Sequence, residues 1–61
     1  MAKLLLTVPE AAEALSISRA KLYHLMSNGE IPYLHIDRSR RIPASALENY
    51  VAALLEKERA A

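Results

Sequence analysis

The apolar positions of this 61-residue chain follow a helical period, then a period of two, then a helical period again. Thr7-Val8-Pro9-Glu10 reads as a helix start: Thr7 is the N-cap, Pro9 is tolerated in the first turn, and Glu10 sits where it closes a capping box. The helix is short. It carries Ala11, Ala12, Ala14 and Leu15 and meets a polar break, Ser16-Ile17-Ser18, around one apolar residue. Ser18 is a second N-cap and opens a helix through Asn28, in which Leu22, Leu25 and Met26 fall at i, i+3 and i+4 on one face. Gly29, the only glycine, is expected to end that helix in the left-handed conformation.

After Gly29 the period changes. Pro32 stops any helix, and in Tyr33-Leu34-His35-Ile36 the residues Leu34 and Ile36 share one face while Tyr33 and His35 share the other. Asp37-Arg38-Ser39-Arg40 reads as a polar turn and Arg41-Ile42-Pro43 as a second strand, giving a small two-stranded hairpin over residues 33–42. A third helix is predicted over residues 44–59, with a stripe of Leu47, Tyr50 or Val51, and Leu54, extending to Leu55. A two-stranded hairpin is marginal alone, so it is expected to lie on this helix. The stripe is expected to be mainly core, the alternative being that Tyr50, Leu54 and Leu55 stay exposed to bind a second copy or a partner protein.

Composition narrows the fold. Hydrophobic residues make up 52% of the chain, yet Phe and Trp are absent, so the core must come from Leu, Ile, Val and Ala, which favours helices. Residues 1–61 have room for one small domain of about the lowest size that folds alone, which excludes most enzyme folds. With no Cys there is neither a disulfide framework nor a thiolate zinc site, as expected for a reducing cytosol. His24 and His35 lack partners at ligand spacing, so neither metal nor cofactor is expected. Glu10 is accounted for by its capping box, and no nucleophile or base stands with it; the chain is not expected to be an enzyme. Met1 to Leu6 resembles the start of a signal peptide, but the apolar run stops at Thr7-Val8-Pro9-Glu10 without a cleavage site. No apolar run approaches the roughly 20 residues of a membrane span. A soluble, cytoplasmic chain with no membrane partner is expected.

The spacing of the first two helices carries the functional signal. A helix-turn-helix needs a small residue where the helices cross, a tight turn about four positions later, an apolar plug and two locking residues. Ala12, Ser16, Ile17, and Leu22 with Leu25 fill those positions, and Ala11 and Leu15 complete the inner side, over residues 7–28. Ser18, Arg19, Lys21, Tyr23, His24 and Ser27 then point outward, types suited to phosphate oxygens and base edges. A plain αα-hairpin with a solvated outer face fits the same spacing. The hairpin adds Arg38, Arg40 and Arg41, with His35 on its outward face, as a wing beside the second helix; a solvated tip or an edge guarded against aggregation is the alternative. The net charge of +1 hides a division. Between Ser18 and Arg41, five Lys or Arg face Glu30 and Asp37, a balance of +3, whereas elsewhere three face five Glu, a balance of −2.

These residues resemble the excisionase-like helix-turn-helix domains of the winged, MerR-related superfamily, found in bacteria and their phages. The likeness runs from Leu6 to about Val51: Thr7-Val8-Pro9-Glu10-Ala11-Ala12, Ser18-Arg19 with Leu22-Tyr23, Gly29-Glu30-Ile31-Pro32, Ile36 with Arg38, Arg41-Ile42-Pro43 and Ser45-Ala46-Leu47. It implies a mainly α fold with a small β-hairpin, a winged helix-turn-helix that binds double-stranded DNA without catalysis. Ser18, Arg19, Tyr23 and His24 would address the major groove and its phosphates. The wing, with Arg38, Ser39, Arg40 and Arg41, would address the neighbouring backbone and minor groove. The family pattern has Gly near Ser16 and near Asp37, Arg at His24, and a basic residue and an aromatic at Ser39 and Arg40, where this chain departs from it. Family members include recombination directionality factors, which bind repeated sites, bend DNA and bias an integrase towards excision, and small transcriptional regulators. The resemblance places such a protein on the nucleoid of a bacterium or phage-infected host. One module of this size covers about 600 to 1,000 Å² of protein surface on DNA, so several copies on adjacent sites are expected, with an integrase as a further partner. The end of the chain at Ala61, with no effector-binding domain or dimerising coiled coil, favours the excisionase over the regulator. A protein-interaction adaptor using the third helix or the basic hairpin is the alternative from another class.

Overall fold

The Thr7 hydroxyl accepts the Glu10 backbone N–H at 3.2 Å while the Glu10 carboxylate accepts the Thr7 backbone N–H at 2.9 Å, so the expected capping box forms in full. In the computed structural model, which describes residues 3–60, it opens helix α1 (Val8–Leu15), and Ser18 opens helix α2 (Arg19–Ser27). Met1 and Ala2, where the signal-like stretch begins, and Ala61 lie outside the described residues. Lys3 pairs with the Glu10 carboxylate. That pairing, followed by the Thr7 backbone N–H, pulls the Glu10 pKa from 4.5 to about 2.

Both helices end in the same way. Ser16 takes φ 59° and ψ 41°, its N–H donates to the Glu13 carbonyl, and the Ile17 N–H donates to the Ala12 carbonyl, each at 3.0 Å. This is a Schellman closure, which turns the chain sharply enough for α2 to pack back against α1. After α2, Gly29 is left-handed at φ 75°, with the Gly29 N–H on the Met26 carbonyl and the Glu30 N–H on the Leu25 carbonyl. The second helix thus stops one residue earlier than its apolar pattern suggests, with Asn28 as its C-cap.

Strands β1 (Leu5–Leu6), β2 (Leu34–Ile36) and β3 (Ser39–Pro43) form an antiparallel sheet in the order β1-β3-β2, and helix α3 (Ala44–Ala60) follows β3 directly. The sheet corrects the two-stranded expectation. Leu5 pairs with Pro43 and Leu6 with Ile42, and the Ala44 N–H donates to the Leu4 carbonyl at 2.9 Å. Two residues are too short for a period, so only the partner strand makes Leu5–Leu6 a strand. The hairpin turn is also tighter than expected. Ile36 pairs with Ser39, leaving Asp37 and Arg38 as the turn, with Asp37 left-handed at φ 59°. Ser39 and Arg40 therefore belong to β3, because a two-residue connection matches the twist of the flanking strands.

The core gathers Val8, Ala11 and Ala12 from α1, Leu22, Leu25 and Met26 from α2, Ile31, Ile42 from β3, and Leu47 from α3. Leu22, Ile31 and Ile42 are fully enclosed, and Leu6, Leu15, Ile17 and Tyr50 pack against the cluster from its margin. Ala12, Leu22 and Leu25 are buried and Ile17 is half-buried, as the helix-turn-helix spacing requires. Two expectations fail. Only Ala46 and Leu47 of α3 are buried; Val51 and Leu54 are exposed, and Leu55 more so, because the helix runs past the edge of a small core. Nor does β2 lie on α3 with its apolar face covered: Leu34 and Ile36 are both exposed, since the hairpin projects beyond its base at β1.

Candidate nucleic-acid interface

Helix α2 presents two unlike sides. Leu22, Leu25 and Met26 are buried against α1, while Ser18, Arg19, Lys21, Tyr23, His24 and Ser27 are all exposed. The Ser18 hydroxyl accepts the Lys21 N–H at 3.1 Å, which fixes the first turn of α2 and leaves the hydroxyl proton free to donate outward. That turn holds no acidic residue. Arg19 and Lys21 therefore add positive charge to the positive end of the helix dipole, an arrangement that favours an anion such as phosphate. The Asn28 side-chain amide lies 3.2 Å from His24 Nε2 and donates to it in the tautomer that carries the ring proton on Nδ1, holding His24 along the helix.

The hairpin divides its polar residues between two faces. His35 stands opposite Arg40, so these two share a face with Tyr33, while Arg41 opposite Leu34 and Ser39 opposite Ile36 share the other. The Tyr33 and His35 rings meet edge to face with centroids 5.7 Å apart. The Arg40 guanidinium lies 5.4 Å from the centroid of the Tyr23 ring on α2 and 5.6 Å from that of Tyr33. Arg41, half-buried, donates from Nη1 to the Arg40 carbonyl at 2.9 Å, and Arg38 occupies the exposed turn.

Of the sequence-derived candidates, the structure brings Arg40 and His35 to the side of the hairpin that meets α2 at Tyr23. Ser39 and Arg41 it turns to the opposite face. Tyr33, which the sequence places beside His35 without marking it as a site residue, joins the cluster through its ring contacts; its alternation with His35 was the only signal of this. Among the described residues no cluster of His, Cys, Asp or Glu is placed to hold a metal ion, and no helix is long and apolar enough to cross a membrane.

Two helices joined by a tight turn, the second exposed along a cationic side and flanked by an arginine-bearing hairpin, define a winged helix-turn-helix. The family described as "Helix-turn-helix domain" matches residues 5–54, and the chain belongs to it as an excisionase-like DNA-binding domain. A "Probable excisionase" of Saccharopolyspora erythraea is 46% identical over 59 residues, covering 97% of this chain and 60% of the relative. An "Excisionase" of Streptomyces ambofaciens is 36% identical over 47 residues, covering 77% of this chain and 76% of the relative. The chain thus spans only 60% of the length of the Saccharopolyspora relative. No solved structure matches the chain.

Proposed function

We propose that this chain acts as an excisionase: it binds repeated duplex sites cooperatively, bends the DNA and directs an integrase towards excision. The observation that carries the reading is the position of the cations. Arg19 and Lys21 on α2 and Arg38 at the hairpin turn are all exposed, on two elements linked through Arg40 and Tyr23, within a family of DNA-binding domains. In this reading α2 enters the major groove, with Ser18, Arg19, Lys21, Tyr23, His24 and Ser27 towards phosphates and base edges. The wing, with His35, Arg38, Ser39, Arg40 and Arg41, follows the backbone or the minor groove. The acidic remainder of the chain disfavours binding in the wrong orientation.

Cooperativity has a candidate surface of its own. An apolar groove of about 490 Å³ runs along α3 and is lined by Leu6, Leu15, Leu47, Val51 and Leu55. Contact between neighbouring copies there would supply affinity that one small module lacks.

Footprinting and bending assays on the DNA around the chain's own gene test the proposal. Protected repeats that fill cooperatively and bend the duplex are the expected result; a single palindromic promoter site would instead indicate a transcriptional regulator. If about five cationic groups reach phosphates, log affinity falls with log salt at a slope of about −4 to −5, and Arg19→Ala reduces that slope by about 0.9. Salt-independent binding, or full function in a variant lacking Arg19 and Lys21, would remove DNA from the account in favour of a protein adaptor acting through Tyr50 and Leu54.

A further inference from the structure

The hairpin has little beneath it to fix its angle. Every side chain of β2 is exposed, and β3 is anchored through Ile42 and Pro43 at its base rather than near the turn. Yet the hairpin meets α2 where the Arg40 guanidinium lies near the Tyr23 ring from the helix and the Tyr33 ring from the strand side. Both cation–π contacts among the described residues belong to Arg40. A planar guanidinium suits this position, because it stacks on aromatic faces and is weakly hydrated, whereas an ammonium is a compact, strongly hydrated point charge.

We propose that Arg40 is a positioning residue: with Tyr23 and Tyr33 it forms a clasp that sets the wing against the recognition helix, and it does not itself bind a phosphate. The proposal rests on the DNA-binding reading but moves Arg40 out of the contact set. Exposed Arg19, Lys21 and Arg38, with half-buried Arg41, remain to meet the backbone, which brings the wild-type salt slope to about −3 to −4 in place of the five-contact value. Tyr33, outside any groove contact, becomes a determinant of affinity. Because the clasp fixes where the wing lies relative to α2, it matters most on a duplex where both elements are engaged at once.

The test separates a clasp from a phosphate contact by using two variants that break it from opposite sides. Arg40→Gln removes the charge; Tyr33→Leu removes a ring and leaves the charge in place. Both positions are exposed, and circular dichroism checks that each variant is folded. On the duplex defined by the footprint, each variant is expected to lose about three- to tenfold in affinity, and the double variant no more than either single one. The salt slope stays at its wild-type value, and binding to a mixed-sequence duplex is unchanged. A phosphate ligand would behave otherwise: Arg40→Gln would lower the slope by about 0.9 and weaken both duplexes alike, Arg40→Lys would restore both, and Tyr33→Leu would bind normally. That outcome overturns the proposal. The free protein gives a reading that needs no DNA. By NMR the Arg40 δ-protons are expected upfield of those of Arg19 and Arg38 through the ring currents of Tyr23 and Tyr33, and Tyr33→Leu is expected to move them back. If wild-type protein protects no site, the proposed function fails while this NMR arm still decides the clasp; unshifted Arg40 protons overturn it.

Discussion

Replacing Ser16 with glycine is expected to stabilise the fold. Ser16 closes α1 at φ 59° and ψ 41°, where an L-residue's Cβ crowds the following carbonyl at a cost of roughly 1–2 kcal/mol. Glycine escapes that cost but loses more backbone freedom on folding, which returns about 0.5–1 kcal/mol. The closing hydrogen bonds, from Ser16 N–H to Glu13 and from Ile17 N–H to Ala12, are made by the backbone and survive the change. The Ser16 side chain is exposed, so no packing is lost. A net gain of about 0.5–1 kcal/mol is expected, which in a domain of this size raises Tm by about 2–8 °C. Thermal unfolding followed by far-UV circular dichroism, on wild type, Ser16→Gly and Ser16→Ala, measures it. Alanine keeps the Cβ and gains nothing. If glycine fails to raise Tm, or alanine raises it equally, the left-handed closure of α1 is not strained and the reasoning is wrong.

Leu22→Ala opens a cavity in the centre of the core and costs about 2–5 kcal/mol, much of what so small a domain has, so its unfolding curve should lack a native baseline at ambient temperature. Leu55→Glu on the exposed half of α3 is expected to change stability by no more than about 0.5 kcal/mol in the same assay. Glu10 supplies a pH dependence. Its folded pKa, about 2, lies below its ordinary 4.5, so its contribution is complete above the ordinary value and is lost as pH falls through the folded one. The Tm of wild type should therefore fall more steeply between pH 4.5 and 2 than that of Glu10→Gln, and added salt should narrow the difference by screening Lys3.

Most of the helix-turn-helix was legible in the sequence because its signals are local. Thr7 and Ser18 cap the helices through their own hydroxyls, Gly29 ends α2 through its backbone, and the Ala12, Leu22 and Leu25 spacing follows from helical geometry. Ile31 was harder: it lies between Gly29 and Pro32 in no periodic element, and only the surrounding core encloses it. Ser16 and Asp37, near which the family pattern has glycine, are the two non-glycine residues with positive φ among the described residues, so the backbone takes the left-handed shape there without glycine. Of the candidate interface, exposure along α2 could be read from its period. The meeting of Arg40 with Tyr23 could not, since it joins residues seventeen apart on different elements.

By itself the sequence determined where the helices begin, that the chain turns after α1 and after α2, and that its net positive charge lies between Ser18 and Arg41. All of these depend on interactions within a few residues. Only the tertiary structure decided that Leu5–Leu6 is a strand, that α3 buries Ala46 and Leu47, half-buries Tyr50 and leaves Val51, Leu54 and Leu55 exposed, and that Arg40 reaches α2 while Arg41 faces away. These depend on strand register and on how far a small core extends. One residue of register sends a side chain to the other face, and no local pattern fixes where a helix runs out of core to cover it.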